Sequence, residues 1–170
     1  MIQKPSSIFA LLTLLCTGLA ALCFAEDHAM CAGHQNADES MVQRGDAVMG
    51  FDHTKTTHHF HISPTGGTIE ASANDPADAQ SRDAIQQHFA HISTMFSDGD
   101  FNAPMLIHSQ NPPGTETMKK LKTEIRYKFE KTNNGGIIQI TSENPEAQVA
   151  IHDFLKFQIQ EHKTGDPIQP

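Results

Sequence analysis

Thr56-Thr57-His58-His59-Phe60-His61-Ile62-Ser63-Pro64-Thr65-Gly66-Gly67-Thr68-Ile69-Glu70-Ala71-Ser72-Ala73 alternates in character on both sides of a turn. His58, Phe60 and Ile62 fall on one side of the first run, and Thr57, His59 and His61 on the other. Ile69, Ala71 and Ala73 share a face of the second. Two alternating runs around Pro64-Thr65-Gly66-Gly67 predict a β-hairpin. Asn74-Asp75-Pro76 then predicts a helix start with an acceptor side chain near its cap. Ile85, Phe89, Ile92 and Phe96 recur at helical spacing until Gly99 ends the run.

The same order of signals follows again. Ile125, Tyr127 and Phe129 share a face of a third strand, Asn133-Asn134-Gly135-Gly136 turns, and Ile138 and Ile140 face inward on a fourth. Glu143-Asn144-Pro145 starts a second helix whose apolar side is Ile151, Leu155 and Ile159, with Gly165 beyond. Gly66-Gly67 precedes Gly135-Gly136 by 69 residues, as Pro76 precedes Pro145. Ala84-Ile85 and Ala150-Ile151 are 66 apart, as are Gly99-Asp100 and Gly165-Asp166, which a three-residue deletion at the second helix start accounts for. This ordered series predicts a duplicated strand–strand–helix unit over 51–166, with repeats at about 56–100 and 123–166 and a tail at 167–170. Phe101 to Gly114 reads as an extended link and Thr115 to Lys122 as a short helix. One helix per hairpin, each with a single apolar stripe, predicts an α+β two-layer sandwich: four largely antiparallel strands with the helices on one face.

Ahead of that unit, Lys4 and the apolar run Ile8 to Phe24, followed by Cys23-Phe24-Ala25 and the charged Glu26-Asp27, read as a cleaved export signal over 1–25. The expected location is periplasmic or secreted. Removing Lys4 from the 12 basic residues leaves 11 against 20 acidic ones, a net charge near −9 over 26–170. That balance excludes nucleic acid as a partner, and also anionic membranes once the signal is gone. Cys16 and Cys23 leave with the signal, so Cys31 stands alone and no internal disulfide holds the fold. Residues 26–50 read as a mobile polar arm carrying His28, Met30, Cys31, His34, Met41 and Met49.

Catalytic motifs are missing: no Gly-x-Ser-x-Gly elbow, no phosphate-binding Gly loop, no His-Glu-x-x-His. Cys31-Ala32-Gly33-His34 is one cysteine short of a covalent haem site. The positive signal is histidine, of which there are 11. Imidazole, thiolate and thioether are the ligands that copper and zinc prefer. Three groups follow. His28, Met30, Cys31 and His34, with Met41, Met49 and His53 further on, could wrap an ion from the arm, or be an ordinary polar leader. His59 and His61 share a strand face at i, i+2, as ligands, as a solvated face or as a dimer contact. His88, His91 and Met95 form a strip along the first helix. His58 points toward the core, where a buried, hydrogen-bonded histidine is the ordinary reading. His162 and His152 lie on and beside the apolar side of the second helix, available to backbone or carboxylate partners or to a site shared with His58, His88 or His91. The basic run Lys119, Lys120, Lys122, Arg126 and Lys128 reads as solvated surface.

Met49-Gly50-Phe51-Asp52-His53-Thr54-Lys55-Thr56-Thr57-His58-His59-Phe60, Ala103-Pro104-Met105-Leu106-Ile107-His108, Pro112-Pro113-Gly114 and Phe154-Leu155-Lys156-Phe157-Gln158-Ile159-Gln160-Glu161-His162-Lys163-Thr164-Gly165-Asp166 resemble a family of small exported bacterial proteins of unknown function. Ile69 to Pro76 matches as well, so the resemblance spans 49–166. It implies a His- and Met-rich leader before the core, present here in reduced form. Some members carry the label aspartate carbamoyltransferase, to which this sequence gives no support. The Ser-Thr-Arg-Thr pattern is absent, the chain is too short, and export does not suit pyrimidine synthesis.

The leading expectation is therefore an exported protein that binds a transition metal, copper before zinc because Met accompanies His. Its expected ligands are His59, His61, His88 and His91, with Met95 beside them and His28, Met30, Cys31 and His34 as accessory donors. A second class is a non-enzymatic interaction module that docks a periplasmic protein partner or a second copy through the open sheet face, histidine titration adjusting the contact. The third is a metal- or haem-dependent enzyme.

Overall fold

A computed structural model describes residues 40–170. The signal segment and the arm donors His28, Met30, Cys31 and His34 lie outside the described residues. The chain is helical over residues 40–49 (α1). It continues as β1 (Thr56–Ser63), β2 (Gly66–Ala73), α2 (Ala79–Ser97), α3 (Asn102–His108), α4 (Thr115–Lys120), β3 (Ile125–Lys131), β4 (Gly135–Ser142) and α5 (Pro145–Glu161). The four strands form one antiparallel sheet in the order β1-β2-β4-β3. The fold is α+β, a two-layer sandwich.

Strand alternation decides which face is covered. Phe60, Ile62, Ile69, Ala71, Ile138 and Ile140 are buried with Ile85, Phe89, Phe154 and Leu155 in one core. The residues between them on β2 and β4 stay half-buried. Those outward positions are largely polar, with Thr68, Glu70, Gln139 and Thr141 among them, and the exposed Arg126 and Lys128 face the same way on β3. An apolar sheet face needs a partner layer, and a polar one can face water.

The helices cross over. α2, which follows the first hairpin, packs mainly on β4 and β3, and α5, which follows the second, packs mainly on β1 and β2. Each seats a fully buried side chain above a glycine of the other hairpin. A Cβ on Gly136 would press on Phe129 and meet the Phe89 ring, and one on Gly67 would run into Leu155 and the His61 carbonyl. Phe89 and Leu155 are 66 residues apart and the glycines 69, the same spacings that relate the two halves in sequence. Backbone bonds are reciprocal in the same way. Ser142 N–H donates to the Thr65 carbonyl at 2.9 Å, and Ala73 N–H to the Asn134 carbonyl at 2.8 Å. Each turn thus closes the end of the other hairpin's central strand.

Local expectations shift in three places. The first helix starts at Ala79, not at Pro76, because the Asp78 carboxylate accepts from Ser81 N–H, whereas Asn144 and Pro145 cap α5 where expected. The link after Phe101 is not extended: Asn102 to His108 is a helix, with Pro104 in its first turn, where a missing N–H costs nothing. Residues 40–49 do not belong to a mobile arm. Val48 and Met49 pack against the core, and Arg44 Nε donates to the Ile107 carbonyl at 2.9 Å.

Replacing Gly67 with Ala should cost roughly 1–3 kcal/mol or more, as overpacked cores do. The new methyl must displace both Leu155 and a strand carbonyl. Urea denaturation measures this, and an unchanged midpoint contradicts the helix-over-glycine contact.

Candidate functional site

Two places concentrate histidine, one on each side of the sheet. On the open side, β1 is an edge strand. Edge N–H groups need a partner or a cover. The Phe60 N–H donates at 2.9 Å to Oδ2 of Asp166, which arrives from the tail beyond α5. The other carboxylate oxygen, Oδ1, lies 2.9 Å from Nδ1 of His59. A carboxylate only accepts, so Nδ1 carries a proton, and in the neutral ring Nε2 keeps its lone pair. The Asp166 side chain is 9% exposed and that of His59 is 43% exposed, so the orienting group is buried and the ring it holds is not. Burial alone would raise the Asp166 pKa, but bonds from Phe60 N–H, Thr164 and His59 outweigh it and hold the carboxylate below its ordinary value.

His61 is exposed on the same face, its ring 6.0 Å from that of His59 and tilted by only 16°. Glu70 stands directly across from His59 on β2, and Thr68 across from His61. Directly opposed residues share a face and come within reach of one another. Two imidazoles and a carboxylate thus stand around one patch of surface. Closing them on an ion takes rotation of His61 and Glu70.

On the covered side, a series of rings runs through the helix–sheet interface. Phe51 stacks on His58 at 5.7 Å, and His58 on His162 at 5.8 Å. His162 meets His108 edge-on at 5.1 Å, while His88 meets Phe51 edge-on at 5.8 Å. His58, His88, His162, Gln158 and Met49 line a cavity of about 50 Å³ between the sheet and the helices. The sequence expectation for His58 holds for burial but not for bonding. Among the described residues the rings of His58, His88 and His162 have no hydrogen-bond partner. Burial lowers the pKa of His58 and His88 to about 4 and that of His162 to about 3, the neighbouring imidazoles adding to the effect. His108 is lowered too, by burial first. Its Nε2 lies 3.1 Å from the Gln158 Oε1. His152 follows the ordinary reading: its Nε2 donates to the Ser63 carbonyl at 2.9 Å.

The expected ligand set therefore divides. His59 and His61 stand together on the open face. His88 points into the covered side, His91 is exposed on α2, and Met95 packs against the core. The sheet separates the two pairs, so His59, His61, His88 and His91 do not form one site. A third group was not singled out in the sequence. Asp46, Asp52 and His53 hold ligand atoms within 4.8 Å of one another, as a metal site would require. All three already have partners. Asp46 accepts from both the backbone N–H and Nδ1 of His53 at 2.9 Å, and Asp52 accepts from Thr54 N–H at 2.8 Å, fastening α1 to the start of β1. Asp166 and Gln158 were missed as well, for neither has a local pattern that points to its partner. Among the described residues no helix is long and apolar enough to cross a membrane.

Scans against protein-family models, curated proteins and solved structures find no match to this chain.

The low pKa values of the covered histidines fix the sign of a pH effect. The unfolded chain binds protons near pH 6.5 and the folded one only near 4, so stability is full above about 6.5 and falls between 6.5 and 4. Each such histidine is worth roughly 3 kcal/mol when its effect is fully expressed. Two of them rival much of a domain's stability of about 5–15 kcal/mol. Urea midpoints measured from pH 7 to pH 4 should drop steeply, and less so in His162→Gln. A flat profile above pH 4.5 contradicts the neutral, unpartnered array.

Proposed function

We propose that this is an exported protein that binds a transition metal ion, copper before zinc, on the open face of its sheet. One observation carries the reading. His59 is held by a nearly buried carboxylate through Nδ1, presenting Nε2 to solvent beside a parallel His61. Metal-binding histidines donate their second ring N–H to a carboxylate or carbonyl in this way, which sets the tautomer and raises ligand basicity. A solvated histidine has no need of a buried partner.

The donors are His59 and His61, with Glu70 opposite to complete the set. Imidazole and carboxylate suit Zn²⁺ and Cu²⁺, and Cu²⁺ binds such sites more tightly. The coordination sphere remains open on the solvent side, which suits acquisition and hand-over better than structural cross-linking. Asp166 also covers the edge of β1, so occupancy at His59 should tighten the tail against the sheet. Export rests on the leader read in the sequence and on the resemblance, and a periplasmic or secreted protein meets both metals.

Titration of the chain 26–170 with Cu²⁺ and with Zn²⁺ tests this. His59→Ala and His61→Ala should each weaken binding at least tenfold, and Asp166→Asn by roughly 10–100-fold, as loss of a supporting carboxylate does. His91→Ala should change nothing. Binding that is indifferent to His59 and Asp166 contradicts the assignment. No binding at all moves the face to the interaction-module reading.

A further inference from the structure

The covered cavity makes a second demand. His58, His88 and His162 are half-buried, and their ring nitrogens have no protein partner among the described residues. Gln158 is 4% exposed. Its Oε1 faces His108 Nε2, while its Nε2 is buried without any acceptor. Buried polar atoms are nearly always satisfied, and each exception calls for an explanation. Gln158 Nε2 is such an exception, and three half-buried imidazoles with no protein partner line the same cavity. A cavity of about 50 Å³ is large enough for an ion or a water or two.

The lining chemistry narrows the occupant. Met49 brings a thioether to the same cavity, and the remaining wall is apolar, with Phe60, Phe89 and Phe154. No carboxylate lines it. Burying an ion costs more steeply than in proportion to its charge, so a pocket without any carboxylate disfavours a divalent cation far more than a monovalent one. Neutral imidazole and thioether are soft, uncharged donors, the combination that selects Cu⁺. No three His, Cys, Asp or Glu groups of this cavity bring ligand atoms within 4.8 Å of one another. The low-coordinate geometry open to such a pocket is therefore two imidazoles and one sulfur.

We infer that the cavity between the sheet and the helices is a binding site for a soft monovalent cation, Cu⁺, held by imidazoles of His58 and His162 and by the Met49 thioether, with His88 beside it. This site is independent of the open-face one: it uses other residues, another oxidation state and the opposite side of the sheet. Met49 ends α1, which Arg44 fastens to the Ile107 carbonyl and Asp46 to His53. The helix that follows the Met- and His-bearing leader thus delivers the sulfur donor to the cavity.

Ag⁺ is the probe, being soft, monovalent and free of redox chemistry. It is titrated to several equivalents into the chain 26–170 carrying Cys31→Ser, with methionine methyls ¹³C-labelled and the Met49 signal assigned by Met49→Leu. The expected result is a shift of the Met49 methyl together with ring signals of His58 and His162. Met49→Leu should weaken that binding at least tenfold while leaving the urea midpoint near its original value, because Leu conserves volume. An unmoved Met49 methyl while that of Met30 shifts means binding by the leader alone and overturns the inference. So does a Met49→Leu isotherm identical to the parent's, which would leave the cavity to water. Met49→Leu should not alter Cu²⁺ or Zn²⁺ binding through His59, so failure here is separable from failure on the open face.

Discussion

The structure depends on two large side chains resting on two glycines. Phe89 of α2 lies over Gly136 of β4, and Leu155 of α5 lies over Gly67 of β2. Each helix belongs to one hairpin and covers the other. A helix folded back on its own hairpin would leave the neighbouring pair of strands bare, so neither half reaches a closed core alone. Cross-packing makes the four strands and two long helices one cooperative unit. At Gly67 it also sets how close the helix layer comes to the sheet, since a Cβ there would run into Leu155.

That spacing fixes both histidine groups. β1 lies at the sheet edge, and α5 crosses above it so that the chain beyond Glu161 runs past that edge. His162 then falls beside His58 on the covered side, and four residues later Asp166 reaches the Phe60 N–H and the His59 ring. Lys163 and Gly165 take left-handed backbone conformations in between, which turn the chain sharply enough to do so. One short segment therefore places an imidazole inside and a carboxylate outside. The alternation of β1 does the same, sending His58 inward and His59 and His61 outward.

The architecture was legible because its signals are periodic and local. Alternation in 56–73 and in 125–142, with helical spacing at Ile85, Phe89, Ile92 and Phe96, gives strand, turn and helix in order. The face that the helices cover follows from burying those stripes together. α3 was hidden by Pro104, which reads as a breaker unless its place in the first turn is known. Which histidines meet was not legible. His59 and Asp166 are 107 residues apart, and only the fold brings them together. His88 and His91 read as one strip along the first helix, yet a three-residue step on α2 sends one inward and the other to solvent, and the sheet stands between them and His59. Spacing reports a shared face on one element; it says nothing of which faces converge.

The central claim is that His59, aimed by Asp166, and His61 hold a metal ion on the open face. Anomalous diffraction from crystals of the chain 26–170 grown with one equivalent of Zn²⁺ locates that ion directly. The account predicts a peak within bonding distance of Nε2 of His59, with His61 turned toward it and Glu70 adjoining. A peak at Asp46, Asp52 and His53 with none at β1, or no ordered ion, contradicts it.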